Sequence, residues 1–184
     1  MDRLREISEQ VAGCTKCDLC KTRTNAVPGK GSRDAVVMFV GEAPGRTEDL
    51  RGEPFVGAAG KKLRALLEKN GILPESTYIT NVVKCRPPNN RVPTDLERDS
   101  CREHLENEIN TIKPKIICVL GNTACNSILG QGEITKNHGK IVLKDGRQYF
   151  LTFHPAATIY NQELGSILEQ DIQKLANILA EINE

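Results

Sequence analysis

Apolar residues along this chain fall into short unbroken runs and longer helical stripes, and the two kinds alternate. Ala35–Val40 (AVVMFV) is unbroken and leads straight into Gly41-Glu42-Ala43-Pro44-Gly45. A short apolar run closed by turn residues reads as a strand buried on both faces. Tyr78–Val83 (YITNVV) and Ile116–Leu120 (IICVL) repeat the pattern. Gly139–Leu143 and Gln148–Phe153 flank Lys144-Asp145-Gly146-Arg147, a hairpin signal around Asp-Gly. Leu4, Ile7 and Val11 predict a short amphipathic helix over residues 1–12, and Leu63, Leu66 and Leu67 predict another over 58–69, closed by Asn70-Gly71. A third helix starts at a cap on Thr94 or Asp95 and reaches about Thr111. A short helix ends near Leu129, and an amphipathic one spans Glu163–Ile182.

Strands alternating with helices predict an α/β fold in three layers, α/β/α, around a mainly parallel sheet, with residues 1–184 as one domain. Ligands of such sheets bind beyond the carboxyl ends of the strands. The site is therefore expected at Gly41–Gly45, where a glycine lets backbone approach a ligand. The same topology brings the strand ends at Asn81 and His154 to that edge.

Composition narrows the class. The 184 residues are 39% hydrophobic and 27% charged with a net charge of +1, ordinary for a globular protein and without a strong whole-molecule field. Residues 1–33 hold seven Lys/Arg against four Asp/Glu, and 163–184 hold five acids against one lysine. No apolar run approaches the ~20 residues that span a bilayer. MDRLREISEQ lacks the apolar core of a signal peptide, so a cytoplasmic, prokaryotic location away from membranes is expected.

Seven cysteines without an export signal favour metal or cluster ligation over disulfides. Cys14-Thr-Lys-Cys17-Asp-Leu-Cys20 makes two overlapping C-x-x-C pairs, and Cys85 and Cys101 follow downstream. Zinc and [4Fe–4S] both accept four thiolates, and the spacing does not choose between them, nor between Cys20 and its neighbours as ligands. Cys118 in an apolar strand and Cys125 beside Ile128 and Leu129 read as small buried hydrophobes. Gly29-Lys30-Gly31-Ser32 lacks the spacing of a phosphate loop and precedes its strand, so that reading is rejected.

Several polar and aromatic residues stand out. Asn81 lies in an apolar strand, where an amide is either a satisfied core group or a reader of a planar base edge. Phe55, in a glycine-rich loop, is either a core plug or a stacking platform. His154 closes YFLTF at the site edge, and Glu42 and Glu48 flank the Gly45 turn.

Taken in order, Gly41-Glu42-Ala43-Pro44-Gly45 with Glu48-Asp49, Pro54-Phe55-Val56-Gly57, Thr80-Asn81-Val82-Val83-Lys84-Cys85-Arg86-Pro87 and His154-Pro155-Ala156 closely resemble the type-4 uracil-DNA glycosylases, the iron–sulfur branch of their superfamily. The resemblance covers nearly the whole chain. It implies a central four-stranded parallel sheet and a [4Fe–4S] cluster on Cys14, Cys17, Cys85 and Cys101. Gly41, Glu42 and Ala43 would line the uracil pocket, Phe55 would stack on the base, and Asn81 would read its edge. Glu48 would crowd C5 and reject thymine. His154 would stabilise charge on uracil O2 and Asn90 would position water; with Glu42 these form the implied catalytic set. Type-1 enzymes carry an aspartate and a tyrosine where this chain, like the type-4 pattern, has Ala43 and Gly45.

The implied activity is monofunctional hydrolysis of the deoxyuridine N-glycosidic bond in single- or double-stranded DNA. The expected cluster would order Lys84–Arg91, whose three basic residues suit phosphates. Ile159 and Tyr160 are read equally as wedges for the base stack or as core. A monomer is expected, with a sliding clamp as a candidate partner. The rival reading is a nonenzymatic nucleic-acid-binding module with a structural four-cysteine metal site. A second rival, a relative acting on another base or trapping uracil covalently, rests on His138.

Overall fold

The computed structural model describes residues 3–130 and 132–182. In chain order its elements are α1 (Arg3–Ala12), β1 (Lys30–Gly31), β2 (Val37–Gly41), α2 (Arg46–Arg51), α3 (Ala58–Lys69), β3 (Thr77–Asn81), α4 (Asp95–Ile112), β4 (Ile116–Leu120), α5 (Asn122–Leu129), α6 (Ile134–Asn137), β5 (Ile141–Lys144), β6 (Arg147–Thr152) and α7 (Gln162–Ile182). The first two residues of the helix expected over 1–12 lie outside the described residues.

The strands form one mixed sheet of order β1-β3-β2-β4-β6-β5. The four inner strands β3, β2, β4 and β6 are parallel, as the resemblance implies. Two antiparallel edges extend the sheet to six strands: β5 pairs with β6 through the Asp-Gly hairpin, and the two-residue β1 pairs with β3. Lys30–Gly31 carries no sequence signal for a strand, because two polar or small residues have no alternation to read. The expected four-stranded sheet is thus the core of a wider one.

Successive residues of β2 point to opposite faces, and each face has its own core. Met38 and Val40 join Tyr78, Ile117, Val119 and Leu151 beneath Leu105 and Ile109 of α4 and Ala124 of α5. Val37 and Phe39 join Ile79, Cys118 and Phe150 beneath Leu63 and Leu67 of α3 and Leu168, Ile172 and Leu175 of α7. Helices cover both faces, which gives the three layers. No helix among the described residues is long and apolar enough to cross a membrane.

Helix α4 begins with a capping box. Thr94 Oγ1 accepts from Glu97 N–H at 3.3 Å and Glu97 Oε2 accepts from Thr94 N–H at 2.8 Å. The two short helices α2 and α6 have no helical stripe in the sequence; Arg46–Arg51 is polar throughout apart from Leu50, and Leu50 is exposed.

Candidate active site and cysteine cavity

Strand β2 ends at Gly41, which pairs in register with Asn81 of the neighbouring strand β3. Past these ends the ladder continues through Val82 N–H to Gly41 O and Val83 N–H to Glu42 O, at 2.9 and 3.1 Å. Strand order changes direction at β2, whose two neighbours are β3 and β4. A crevice at such a switch point is where α/β sheets bind ligands. Here it holds a cavity of about 390 Å3, lined by Glu42, Ala43, Gly45, Glu48, Phe55 and Asn81 on one side and by Asn90, Arg91, His154 and Ala156 on the other.

Gly41 itself lies under this cavity, not on its wall. A Cβ there would meet Asn81 Oδ1 at 2.5 Å and Phe55 Cζ at 2.6 Å. The absent side chain is what lets the amide and the ring close over the strand end. Phe55 is buried and holds φ at +54°, an uncommon conformation for a bulky residue and one that clusters at functional sites. Its ring centroid stands 5.7 Å from that of His154, tilted 33°.

Asn81 is 2% exposed, and its Oδ1 has no hydrogen-bond partner. A buried unpaired carbonyl costs about 1–3 kcal/mol unless a ligand satisfies it. Among the described residues, the only other buried side-chain nitrogen or oxygen atoms in that state are the two ring nitrogens of His104.

His154 follows the end of β6 and caps the short 3-10 turn Pro155–Thr158. Ala156 N–H donates to His154 Nδ1 at 3.1 Å. Burial pushes the imidazole pKa down to about 4, against a smaller upward pull from the Glu48 charge. The ring is therefore neutral near pH 7 with its proton on Nε2, a donor left for the cavity. Gly121, at the end of β4, makes room for this residue: its φ is +87° and a Cβ would sit 3.0 Å from His154 Cβ.

Glu48 on α2 accepts from Gly57 N–H at 2.7 Å, which fixes its carboxylate in the cavity wall. Asn90 lies in a turn where both Asn89 and Asn90 have positive φ, and its Oδ1 accepts from Arg86 Nε at 2.7 Å. Arg91 is held by two bonds to Glu97 at 2.7 and 2.8 Å, and Glu97 is drawn down to about 2, most of all by that guanidinium.

The expectation for Lys84 is corrected. Of the three basic residues assigned to phosphates, Lys84 is 1% exposed, and its ammonium pairs with the fully buried Glu108 at 2.6 Å. Arg86 and Arg91 remain at the surface of the segment. The alternatives for the following loop are also decided: Ile159 is 39% exposed and Tyr160 98%, so neither is core. His138 does not line the cavity. Its Nδ1 lies 3.1 Å from both carboxylate oxygens of Asp171, and its ring packs on Phe153.

A second, tighter cavity is lined by Cys14, Cys17, Cys20, Cys85 and Cys101, with Lys16, Arg23, Lys84 and His104. Cys118 and Cys125 are buried elsewhere, as their apolar neighbours indicate. Arg23 Nη1 donates to Cys85 Sγ at 3.0 Å and Lys84 N–H to Cys101 Sγ at 3.3 Å. Burial raises the pKa of Cys17 and Cys85 and lifts Cys101 to about 11. Among the described residues no three His, Cys, Asp or Glu side chains gather as for a single metal ion. The thiols instead ring a cavity together with unpartnered imidazole nitrogens and cationic donors. Thiols with hydrogen-bond donors beside their sulfurs are a donor set suited to a metal or iron–sulfur centre.

Residues 28–180 match the family model described as the uracil DNA glycosylase superfamily. The chain is 46% identical to a type-4 uracil-DNA glycosylase of Sulfurisphaera tokodaii, over 97% of this chain and 86% of that protein. It is 43% identical to the type-4 enzyme of Archaeoglobus fulgidus, over 97% and 94% of the two chains. With the type-4 enzyme of Thermotoga maritima it shares 44% identity over 94% and 93%.

Proposed function

From its membership of the uracil DNA glycosylase superfamily, to which this chain belongs, we propose a mechanism in which the cavity at the end of β2 takes a flipped uracil. The protein is a hydrolase, a monofunctional uracil-DNA glycosylase of DNA repair. The observation that carries the assignment of the cavity is the unpaired, buried Oδ1 of Asn81. Uracil N3–H is a donor for that oxygen, and uracil O4 accepts from the amide nitrogen. Cytosine presents the reverse pattern, an acceptor at N3 and a donor at N4, and leaves both amide groups facing their like.

The base enters between Phe55 and the cavity wall after leaving the stack. The glycosidic bond breaks with its electron pair passing to uracil N1 and, by resonance, to O2. The neutral His154 Nε2–H donates where that charge develops, so its contribution lies mainly in the transition state. Water then attacks the sugar cation and loses a proton to solvent, the uracil anion takes one up from solvent, and an abasic site and free uracil remain. Asn90 positions that water: Arg86 holds one lone pair of Oδ1, leaving the other for a water O–H. Glu42 lies half-buried in the same wall. Arg86 and Arg91 meet the backbone phosphates, and Ile159 and Tyr160 approach the vacated stack.

Cys14, Cys17, Cys85 and Cys101 would hold a [4Fe–4S] cluster in the second cavity, which fits the seven cysteines of the chain. When bound, the cluster supplies four iron–thiolate links fastening the N-terminal segment to α4 and to the segment after β3. A nonenzymatic binding module would account for the cysteines but not for an orphaned amide, a stacked ring and a neutral imidazole around one cavity.

The test is release of uracil from oligonucleotides carrying U in single strand, U·G and U·A, with Asn81→Ala and His154→Ala. Abasic sites made by the wild type and lost in both variants support the assignment. Excision unchanged in both variants refutes it.

A further inference from the structure

Lys84 sits between the two cavities. Its backbone N–H donates to Cys101 Sγ at 3.3 Å, and its ammonium donates to the backbone carbonyl of Asn81 at 2.9 Å and to Glu108 Oε2 at 2.6 Å. Glu108 is held in turn by Thr80 Oγ1 at 2.9 Å and Gly29 N–H at 3.0 Å. Lys84 O accepts from Val27 N–H at 2.7 Å. Both members of the pair are buried, at 1% and 0% exposure.

A buried ion pair is a poor way to gain stability, because removing two charges from water costs several kcal/mol each, and apolar replacements are often neutral or better. This pair directs its bonds to one place. Thr80 and Asn81 are the last two residues of β3, and the ammonium grips both of them. The gripped carbonyl belongs to the Asn81–Val82 peptide, whose N–H donates to Gly41 O across the strand ends. Fixing that peptide plane fixes the Cα–Cβ direction of Asn81, and so the aim of its amide into the cavity.

We propose that Lys84 is a positioning residue for the base-reading amide of Asn81, joining the cysteine cavity to the uracil pocket through one side chain and its own backbone. The proposal rests on the reading of Asn81 as the uracil contact. Lys84 does not touch the base. It acts by holding the strand end against the pull of a ligand, with Glu108 as its counter-charge and Cys101 as the anchor of its backbone.

The experiment compares three variants by inhibition with free uracil, by single-turnover excision and by binding to undamaged DNA. Glu108→Gln leaves a lysine that can still donate to Asn81 O but takes away its counter-charge. It is expected to lose thermal stability and to weaken uracil inhibition less than the double variant does; weakening equal to or greater than that of the double variant overturns the proposal. Lys84→Met with Glu108→Gln removes the charge and its partner together, and is expected to bind undamaged DNA normally while free uracil inhibits about tenfold less well, a change of about 1.4 kcal/mol. Asn81→Ala reports on the premise: if it leaves uracil inhibition unchanged, the pocket reading fails. If it weakens inhibition while the double variant inhibits like wild type, Lys84 is structural only and the proposal is overturned. Should the double variant not fold, Lys84→Gln with Glu108→Gln takes its place, with intermediate weakening expected and wild-type inhibition overturning the proposal.

Discussion

Asn81 Oδ1 stands 2.5 Å from the point a Cβ on Gly41 would occupy, so the amide fills the space that the glycine leaves open. Phe55 Cζ crowds the same point at 2.6 Å. Gly41→Ala therefore displaces at once both side chains proposed to contact the base. Its excision rate is expected to fall by a factor of about 10² or more, and its stability by about 1–3 kcal/mol from overpacking. Single-turnover kinetics with denaturant unfolding checks both; a wild-type rate in this variant removes Asn81 and Phe55 from the base site.

His154 is neutral over the working range because burial holds its pKa at about 4. The rate of excision should show no acid limb from this group between about pH 5 and 8. Stability carries a signature of the opposite ordering. Between about pH 4 and 6.5 the unfolded chain binds the proton and the folded one does not, so this group makes stability rise with pH across that window. His154→Ala should flatten that rise and lower the excision rate by about 10²–10³. A rate profile governed by a group near pH 6.5 that disappears in the variant would contradict the neutral donor.

The Glu48 carboxylate is pinned by Gly57 N–H and forms part of the wall next to Gly45. With Glu48 as the guard on C5, Glu48→Ala gains measurable thymine excision from T·G pairs, whereas Glu48→Gln, of nearly the same shape, does not. Equal behaviour of the two variants would mean that charge, not bulk, does the excluding.

Tyr160 is 98% exposed beside Ile159, on the turn that follows His154. A side chain that fills the vacated stack matters only where a stack exists. Tyr160→Ala should slow excision from duplex DNA about tenfold while leaving single-stranded substrate near the wild-type rate. An equal loss on both substrates would place Tyr160 outside the stack.

His104 carries the other buried nitrogens without partners, and it lines the cysteine cavity. Burial, helped by the charges of Lys84 and Lys16, lowers its pKa. A neutral imidazole has one N–H for a cluster sulfur, and hydrogen bonds to sulfur raise a cluster's reduction potential. With the proposed [4Fe–4S] cluster bound, His104→Leu should keep the cluster's iron and shift its potential to a more negative value in protein-film voltammetry. An unchanged potential would assign the N–H elsewhere.

Much of this arrangement can be read from the residues alone, because the informative segments are simple. The unbroken runs at 35–40 and 116–120 read as strands buried on both faces, the structure has strands at 37–41 and 116–120, and the motif order around Gly41, Asn81 and His154 points to the family. Less readable are the places where local pattern and tertiary role diverge. Lys84 lies among Cys85, Arg86 and Arg91 and reads as one more surface cation; its burial depends on Glu108, 24 residues away on α4. A sign was present in that helix, whose buried stripe mixes Glu97, Cys101, His104 and Glu108 with Leu105 and Ile109. Such a stripe weakens the apolar periodicity and marks a face turned toward polar groups. Gly41 was expected on the pocket wall and instead supports it from below, a distinction that depends on the rotamers of Asn81 and Phe55. The short β1 exists only because β3 offers it an edge.

The sheet order also sets when activity can first arise during synthesis. Gly41 and Asn81 are joined as soon as β2 and β3 pair, and Asn90 and Arg91 of the cavity lining follow β3. The donor arrives last, on a turn that follows β6 and is packed on α3 and α7. A chain ending before residue 154 thus lacks both the proposed donor and α7, whose Leu168, Ile172 and Leu175 share one core with Phe55 and Leu63. The residues proposed to read the base are made early, and the group proposed to receive the leaving charge follows the last strand.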